Sequence, residues 1–313
     1  MKVAKPEDEP VTGARDLSDY QALLGSWLLQ LEVAGKSVET RKVYRVSAEQ
    51  LGAHLLARGM PVLVDAITRE HVESYLLELR RAHPTSSTVA TRYKGLRQWF
   101  KWLLEEHEIT ADPMVHIKKP TYTEKEIPLL GDELVKRLLE DCKGPSFADR
   151  RDLALLRLFL ATPLRRSEVA HLACVDVDLP SRVVHVTVKG NRQRTVPFDV
   201  KAAQALDRYQ RLRRQHGHAS AAGFWLGQQG PLTDSGLYQV LRRRAKHAGI
   251  TGFHPHLFRH LFAHGWLKAD GQERDLMRLG GWRSAEVMRK YGEQLAEERA
   301  VEAYRRLSPG DRF

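Results

Sequence analysis

The chain has 313 residues, enough for two ordinary domains, and its 50 Lys and Arg residues against 39 Asp and Glu give a net charge of +11. This balance suits a polyanionic partner such as nucleic acid, and a charge that serves only solubility is an equal alternative. The two cysteines, Cys142 and Cys174, form no CxxC pair, which argues against a disulfide framework or a cysteine zinc site. No signal-peptide pattern and no run of about 18 apolar residues is present, so we expect a cytoplasmic protein without membrane contact.

Four segments between residues 17 and 112 have the apolar spacing of amphipathic helices, after a polar stretch, 1–16, that is predicted to be a flexible tail. The second helix is expected at about 38–57, and the third is expected to open at Thr68 and to stop before Pro84. The apolar faces of the first, third and fourth helices are assigned to Tyr20, Leu23, Leu24, Trp27, Leu28, Leu31, Val72, Tyr75, Leu76, Leu79, Val89, Tyr93, Leu96, Phe100 and Leu103. Short connections between four helices predict a compact bundle.

Polar and basic residues lie near the start of the fourth predicted helix, away from its apolar face. They are Ser86, Ser87, Arg92, Lys94 and Arg97. Hydroxyl groups and cations clustered at a helix start suit contacts to phosphate, and a solvated helix face accounts for them equally well. The sequence alone does not favour either the phosphate contacts or the solvated face.

The segment 113–128 contains three prolines and no helical periodicity, so it is predicted to be a linker. Beyond it, helices are expected near 131–142 and 149–160. A break at Thr162-Pro163 then predicts that Arg165 sits in the first turn of the next helix, because proline suits a first helical turn.

The alternating pattern of 182–188, the turn KGN and the returning strand 192–198 predict a β-hairpin with Lys189 at its tip. Further helices are expected at about 201–215, 234–248, 256–268, 272–279, 284–291 and 293–307. The fold class is therefore mainly α with a small β-sheet (α+β): a helical bundle, followed by a mostly helical domain that contains the hairpin.

The segment HPHLFRHLFAHGW, 254–266, concentrates histidines around Arg259. His256, His260 and His264 recur every four residues on one helix face and could bind zinc, but the glutamate of zinc-protease helices and a further ligand cluster are missing. A phosphate site is the stronger alternative, because His256 and Arg259 lie three residues apart and a guanidinium matches phosphate. This pair by itself is a weak signal.

The pair gains meaning from other residues in the same chain. Arg165 lies in TPLRRSEV, Lys189 lies in VTVKGNRQRTVPF, and both Trp282 and Tyr291 lie in LMRLGGWRSAEVMRKYG. The series Arg, Lys, His-x-x-Arg, Trp and Tyr resembles the tyrosine recombinase (phage integrase) family, and the resemblance extends over roughly residues 17–307.

Three positions depart from the usual motifs of that family. Pro163 replaces the glycine of TGLR, Phe258 replaces the leucine of HxLRH, and Trp282 replaces the histidine of LGH, where some members also carry tryptophan. The resemblance implies a helical core-type DNA-binding domain at 17–112 and a catalytic domain at 129–313.

The resemblance also implies that DNA strands are cut and rejoined through a covalent 3′-phosphotyrosine, with no cofactor and no metal. The six implied catalytic residues are Arg165, Lys189, His256, Arg259, Trp282 and Tyr291. Tyr291 would be the nucleophile and Lys189 would protonate the leaving 5′-oxygen, while the others would hold the phosphate. Arg192 is expected to contact DNA, and Glu168 is expected to hold Arg165 or its helix.

The expected partners are double-stranded DNA with inverted core half-sites and further copies of the chain, from dimer to tetramer on DNA, in a nucleoid-associated protein. Self-association would use the helix at 293–307, whose apolar seam consists of Leu295, Ala296, Ala300, Ala303, Tyr304 and Leu307. Packing of this helix against its own chain is the alternative. Two other functions stay open: a catalytically inactive DNA-binding regulator of the same fold, and a DNA-relaxing enzyme similar to type IB topoisomerases.

Overall fold

The computed structural model describes residues 17–84, 87–121, 130–188, 192–282, 300–301 and 303–312. The chain divides into two compact units, with the boundary between Glu126 and Ile127. No helix in the described part of the chain is both long and apolar enough to cross a bilayer.

Among the residues that the structure describes, the first unit contains four α-helices, which are α1 (Ser18–Val33), α2 (Val38–Ala57), α3 (Arg69–Ala82) and α4 (Thr88–Glu105). The predicted bundle is confirmed, and the predicted apolar faces supply its core, although Leu23, Leu28 and Leu79 lie half-buried at the edge. The side chain of Ser37 caps α2 by accepting a hydrogen bond from the N–H of Thr40.

Helices α2 and α4 approach closely where Ser47 faces Gly95. A Cβ atom at Gly95 would lie 2.3 Å from Ser47 Oγ, so the crossing requires glycine. The rings of Trp27 and Trp99 lie 5.1 Å apart, and Trp27 also stacks on Tyr44 at 5.6 Å. This aromatic cluster holds α1 against the α2–α4 pair.

Ahead of the C-terminal tail, the described residues of the second unit form the α-helices α5 (Asp132–Glu140), α6 (Phe147–Ala161), α7 (Arg166–Ala170), α8 (Val200–Arg213), α9 (Asp234–His247), α10 (His256–Lys268) and α11 (Glu273–Gly280). Phe159 of α6 stacks on Phe258 of α10 with ring centroids 5.5 Å apart, and both are fully buried. This contact brings the predicted phosphate-binding helix, α10, against the centre of the unit.

An antiparallel sheet of three strands lies beside these helices, and its strands are β1 (Val177–Asp178), β2 (Val183–Val188) and β3 (Arg192–Pro197), in that spatial order. The predicted β-hairpin is confirmed by the pairing of Val184 with Val196. A second small sheet pairs β4 (Leu226–Gly227) with β5 (Gly230–Pro231). The sequence did not predict β1, β4 or β5, because a strand of two residues is too short to show alternation.

The prediction that Arg165 lies in the first turn of a helix is wrong. Arg165 has φ −74° and ψ 150°, so it is the extended residue immediately before α7. Thr162 is also extended, as expected for a residue before proline, and Leu164 is buried at 2% exposure. The chain therefore runs extended from α6 to α7, and Pro163 presents its carbonyl to Arg259 instead of starting a helix.

The predicted helix at 284–291 lies outside the described residues, as does part of the predicted helix at 293–307. Residues 300–301 and 303–307 are helical.

Candidate active site

Three consecutive backbone carbonyls at the end of α11 each accept a hydrogen bond from a different arginine. The pairs are Arg194 Nε to Leu279 O at 2.9 Å, Arg259 Nη2 to Gly280 O at 2.7 Å, and Arg165 Nη2 to Gly281 O at 3.0 Å. The last carbonyls of a helix lack donors from the helix itself and carry partial negative charge, so cations are favourable there. Two predicted site residues, Arg165 and Arg259, are thereby held at neighbouring positions.

Glu168 joins Arg165 of the extended segment to Arg194 of β3. The backbone N–H and Nη1 of Arg165 donate to this carboxylate at 2.7 and 2.9 Å, and Arg194 Nη1 and Nη2 donate to it at 3.0 and 2.7 Å. Burial acts to raise the pKa of Glu168, but the hydrogen bonds from Arg194 and Arg165 outweigh it, and the pKa lies below its usual value. The prediction that Glu168 holds Arg165 is confirmed.

Arg259 is almost enclosed, with 2% of the residue exposed. Its Nη1 donates to the carbonyl of Pro163 and its Nη2 donates to that of Gly280. The ring of Trp282 covers one face of the guanidinium, with the Arg259 Cζ atom 3.7 Å from the ring centroid. The carbonyls fix the plane of this cation and the indole covers it, so its orientation is set within the protein.

The two glycines before Trp282 permit this arrangement. A Cβ atom at Gly280 would lie 1.9 Å from the Trp282 ring, so a side chain there would displace the indole. Gly281 has a φ of +63° and ends α11 in the left-handed conformation, which glycine adopts without strain. The GGW sequence therefore ends the helix and folds Trp282 back towards Arg259.

His256 is the first residue of α10; part of the residue stays accessible to solvent, while its imidazole ring packs 5.1 Å from the ring of His260. Loss of hydration, followed by the positive charge of Arg259, lowers the pKa of His256, so the imidazole is neutral at pH 7 and can accept a proton. Burial lowers the pKa of His260 to about 4. Within the described ranges, no three His, Cys, Asp or Glu side chains form a group that could hold a metal ion.

Several predicted site residues fall outside this description. Lys189, Tyr291 and Ser86 lie outside the described residues. Arg192 is the first residue of β3, and the structure describes only its backbone. The structure therefore brings together Arg165, Arg259 and Trp282, with His256 at the start of the same helix as Arg259.

The other predicted DNA contacts belong to the first unit. Ser87 is exposed immediately before α4, and Lys94 and Arg97 are exposed three residues apart on that helix. Arg92 is half-buried, and its Nε donates to Gln50 Oε1 at 2.8 Å. Lys94 and Arg97 thus present their charge to solvent, as both interpretations of this face require.

Arg194 was not among the residues predicted from the sequence. A signal was available, because alternation along β3 places residue 194 on the same face as Val196, which is fully buried, while Gln193 and Thr195 are exposed. A charged residue at an inward-facing strand position requires a buried partner of opposite charge, which here is Glu168.

Comparison with known proteins identifies the family. The model of the phage integrase family matches residues 129–298, and that of the phage integrase N-terminal SAM-like domain matches residues 23–109. The chain belongs to the phage integrase family.

Relatives within the family are named for their activity. Tyrosine recombinase XerD of Corynebacterium glutamicum is 32% identical over 288 residues, which cover 87% of this chain and 93% of that protein. Tyrosine recombinase XerC of Actinobacillus pleuropneumoniae is 34% identical over 198 residues, which cover 63% of this chain and 64% of that protein, just under two thirds of its length. This chain is accordingly a tyrosine-type recombinase, an enzyme of site-specific DNA recombination.

Similarity to a solved structure supports the fold. The crystal structure of a lambda integrase tetramer bound to a Holliday junction matches with a TM-score of 0.66 and 16% identity, covering 90% of this chain and 83% of that one. The predicted class, mainly α with a small β-sheet, is confirmed by this likeness together with the helices and sheets described above.

Proposed function

We propose that this enzyme cleaves and rejoins DNA strands at specific sites through a covalent 3′-phosphotyrosine, with Tyr291 as the nucleophile. The observation that carries the proposal is the convergence of Arg165 and Arg259 on adjacent carbonyls, with the Trp282 indole stacked on Arg259. A phosphodiester gains negative charge on its non-bridging oxygens during attack. Fixed cations offset that charge without having to reorganise.

The two arginines differ in their access to a phosphate. The Arg165 side chain is 41% exposed, so in the proposed complex it meets the scissile phosphate directly. Arg259 is 2% exposed and contributes a fixed positive charge from within the protein. Trp282 has one N–H group that can donate to a phosphate oxygen.

In the cleavage step, the phenolic oxygen of Tyr291 attacks phosphorus and the bond from phosphorus to the 5′-oxygen breaks. The products are a 3′-phosphotyrosine and a strand that ends in a 5′-hydroxyl group. The phenol must lose a proton, and a tyrosine pKa of about 10 calls for a nearby acceptor. Neutral His256 suits that role, and Lys189 gives the proton that the leaving 5′-oxygen gains.

Rejoining reverses these events on a different strand. A 5′-hydroxyl group attacks the phosphotyrosine, restores a phosphodiester and frees the phenol of Tyr291. Because the covalent link keeps the energy of the broken bond, the reaction as proposed requires no nucleotide cofactor and no metal ion.

We assign core-type DNA binding to residues 17–112, a linker to 113–128 and catalysis to 129–313. The proposed contacts to DNA are made by Ser86, Ser87, Arg92, Lys94, Arg97 and Arg192. The proposed partner is a duplex with inverted half-sites, occupied by two copies of the chain and synapsed as four. Lambda integrase, which shares the fold, has been solved as a dimer bound to a COC' core site and as a tetramer bound to a Holliday junction, and these assemblies support the proposed numbers of copies.

The C-terminal tail is the proposed contact between these copies. Val301, Tyr304 and Leu307 follow one another at intervals of three residues and are 46%, 65% and 63% exposed. Exposed apolar side chains at helical spacing suit docking on another subunit. A tail that links neighbouring subunits could also allow only some of the four tyrosines to act at one time.

Covalent capture tests the function. Wild-type protein selects its site from a pool of random-sequence duplexes, and the selected duplex is then nicked so that a cleaved strand cannot be rejoined. The wild type should form an adduct that survives denaturation, whereas Tyr291→Phe should bind the same duplex without forming one. Tyr44→Phe, which keeps the ring stacked on Trp27 in the first unit, is the matched control and should retain the adduct.

Each alternative function has its own outcome. An adduct formed by Tyr291→Phe would place the nucleophile elsewhere. Tight binding without any wild-type adduct would identify an inactive regulator. Relaxation of supercoiled DNA by isolated monomers, without any exchange of strands, would identify a topoisomerase.

A further inference from the structure

All three side-chain nitrogens of Arg194 donate hydrogen bonds to groups within the candidate site. Nη1 and Nη2 form a two-point ion pair with Glu168, and Nε donates to the carbonyl of Leu279. Its side chain is 12% exposed, against 41% for Arg165. Arg194 is therefore a poor candidate for direct contact with DNA, and its contacts all lie inside the protein.

The charges around Glu168 show what these contacts achieve. Without Arg194, the Glu168 carboxylate would be paired with Arg165 alone, through Arg165 Nη1 at 2.9 Å. Two opposite charges in close contact are nearly neutral as seen from a distance, so the cation that meets the phosphate would lose much of its field. With Arg194 present, two arginines share one carboxylate and the group keeps a net positive charge.

We propose that Arg194 is a positioning residue for strand cleavage, which satisfies the Glu168 carboxylate and so leaves the charge of Arg165 available to the scissile phosphate. This inference rests on the proposed function, because it assumes that Arg165 acts on phosphate. Since Arg194 also donates to Leu279, it joins the hairpin strand β3 to the same helix end that holds Arg165 and Arg259.

Charge balance can be separated from simple support of the fold by a double substitution. Arg194→Gln leaves Glu168 to neutralise Arg165, so cleavage should slow by about tenfold or more while the Kd for the duplex stays close to the wild-type value. Adding Glu168→Gln removes the negative charge and restores the free cation. The double variant should therefore cleave several-fold faster than Arg194→Gln, although it has lost one more native hydrogen-bonding group.

The assay is single-turnover formation of the covalent adduct on the nicked duplex selected by the wild type, with Kd and thermal unfolding measured on the same samples. Arg211→Gln is the matched control, because Arg211 pairs with Asp207 on the surface of α8, where its side chain is 63% exposed. That variant should bind and cleave like the wild type.

Two results would overturn the role of Arg194. One is a double variant that cleaves no faster than Arg194→Gln, as a purely structural role requires. The other is an Arg194→Lys variant that cleaves no faster than Arg194→Gln, because lysine loses the two-point geometry but keeps a positive charge beside Glu168. Arg194→Met replaces Arg194→Gln as the neutral reference should Arg194→Gln fail to fold. Absence of any wild-type adduct would instead refute the proposed function, so the two failures are distinguishable.

Discussion

Gly281→Ala should damage catalysis more than it damages the fold. An alanine at a φ of +63° costs about 1–2 kcal/mol, because its Cβ atom crowds the backbone. The same Cβ atom would also lie 3.0 Å from Arg194 Nη1 and 3.5 Å from Arg165 Nη1. The first of these contacts is tight enough to push the Arg194 guanidinium aside by a few tenths of an ångström.

Gly59→Ala supplies a matched control. Gly59 also follows the end of a helix, α2, in the left-handed conformation, with a φ of +65°, and a Cβ atom there would meet no atom within 4 Å. Both substitutions should therefore lower the free energy of unfolding by about 1–2 kcal/mol. Only Gly281→Ala should also slow adduct formation, by about tenfold, since misplacement of a catalytic group by 1 Å costs about a hundredfold.

The measurements are urea unfolding of both variants and single-turnover adduct formation on the nicked duplex, at a protein concentration that saturates the DNA. Saturation separates the cleavage rate from any loss of affinity. Equal cleavage rates for the two variants would refute the reasoning, because backbone strain would then account for every effect of Gly281→Ala and the contact with the arginines would be irrelevant.

Three further predictions concern the proposed chemistry and assembly. Lys189→Ala should cleave an ordinary duplex slowly but recover most of the cleavage rate when a 5′-bridging sulfur replaces the leaving oxygen, because a thiolate leaves without being protonated. Equal defects on both substrates would assign Lys189 to binding. Adduct formation should persist in EDTA, and loss on chelation that zinc restores would revive the metal interpretation of His256, His260 and His264. A chain truncated after residue 294 should still fill one half-site but lose cooperative filling of a full site in gel-shift titration, and cooperativity equal to that of the intact chain would show that the tail packs in cis.

Local patterns in the sequence predicted most of the secondary structure. The helices of the first unit and the β2–β3 hairpin follow from the periodicity of apolar residues, because burial on one face imposes a repeat that is readable along the chain. The family was indicated by the order of six residues, Arg165, Lys189, His256, Arg259, Trp282 and Tyr291. Phosphate chemistry requires particular side chains, and the identity of each side chain can be read directly from the sequence.

Only the tertiary structure decided how the described members of that set are held. Arg194 contacts Glu168 across 26 positions and Leu279 across 85, and no periodicity links residues so far apart. The conformation of Arg165 was mispredicted for the same reason. Local rules allowed Pro163 to begin a helix. In the folded chain, Leu164 is buried and the Pro163 carbonyl accepts a hydrogen bond from Arg259, and these distant contacts keep Arg165 outside the helix. A hydrogen bond between distant segments exists only once packing has brought them together, so its partners cannot be identified from either segment alone.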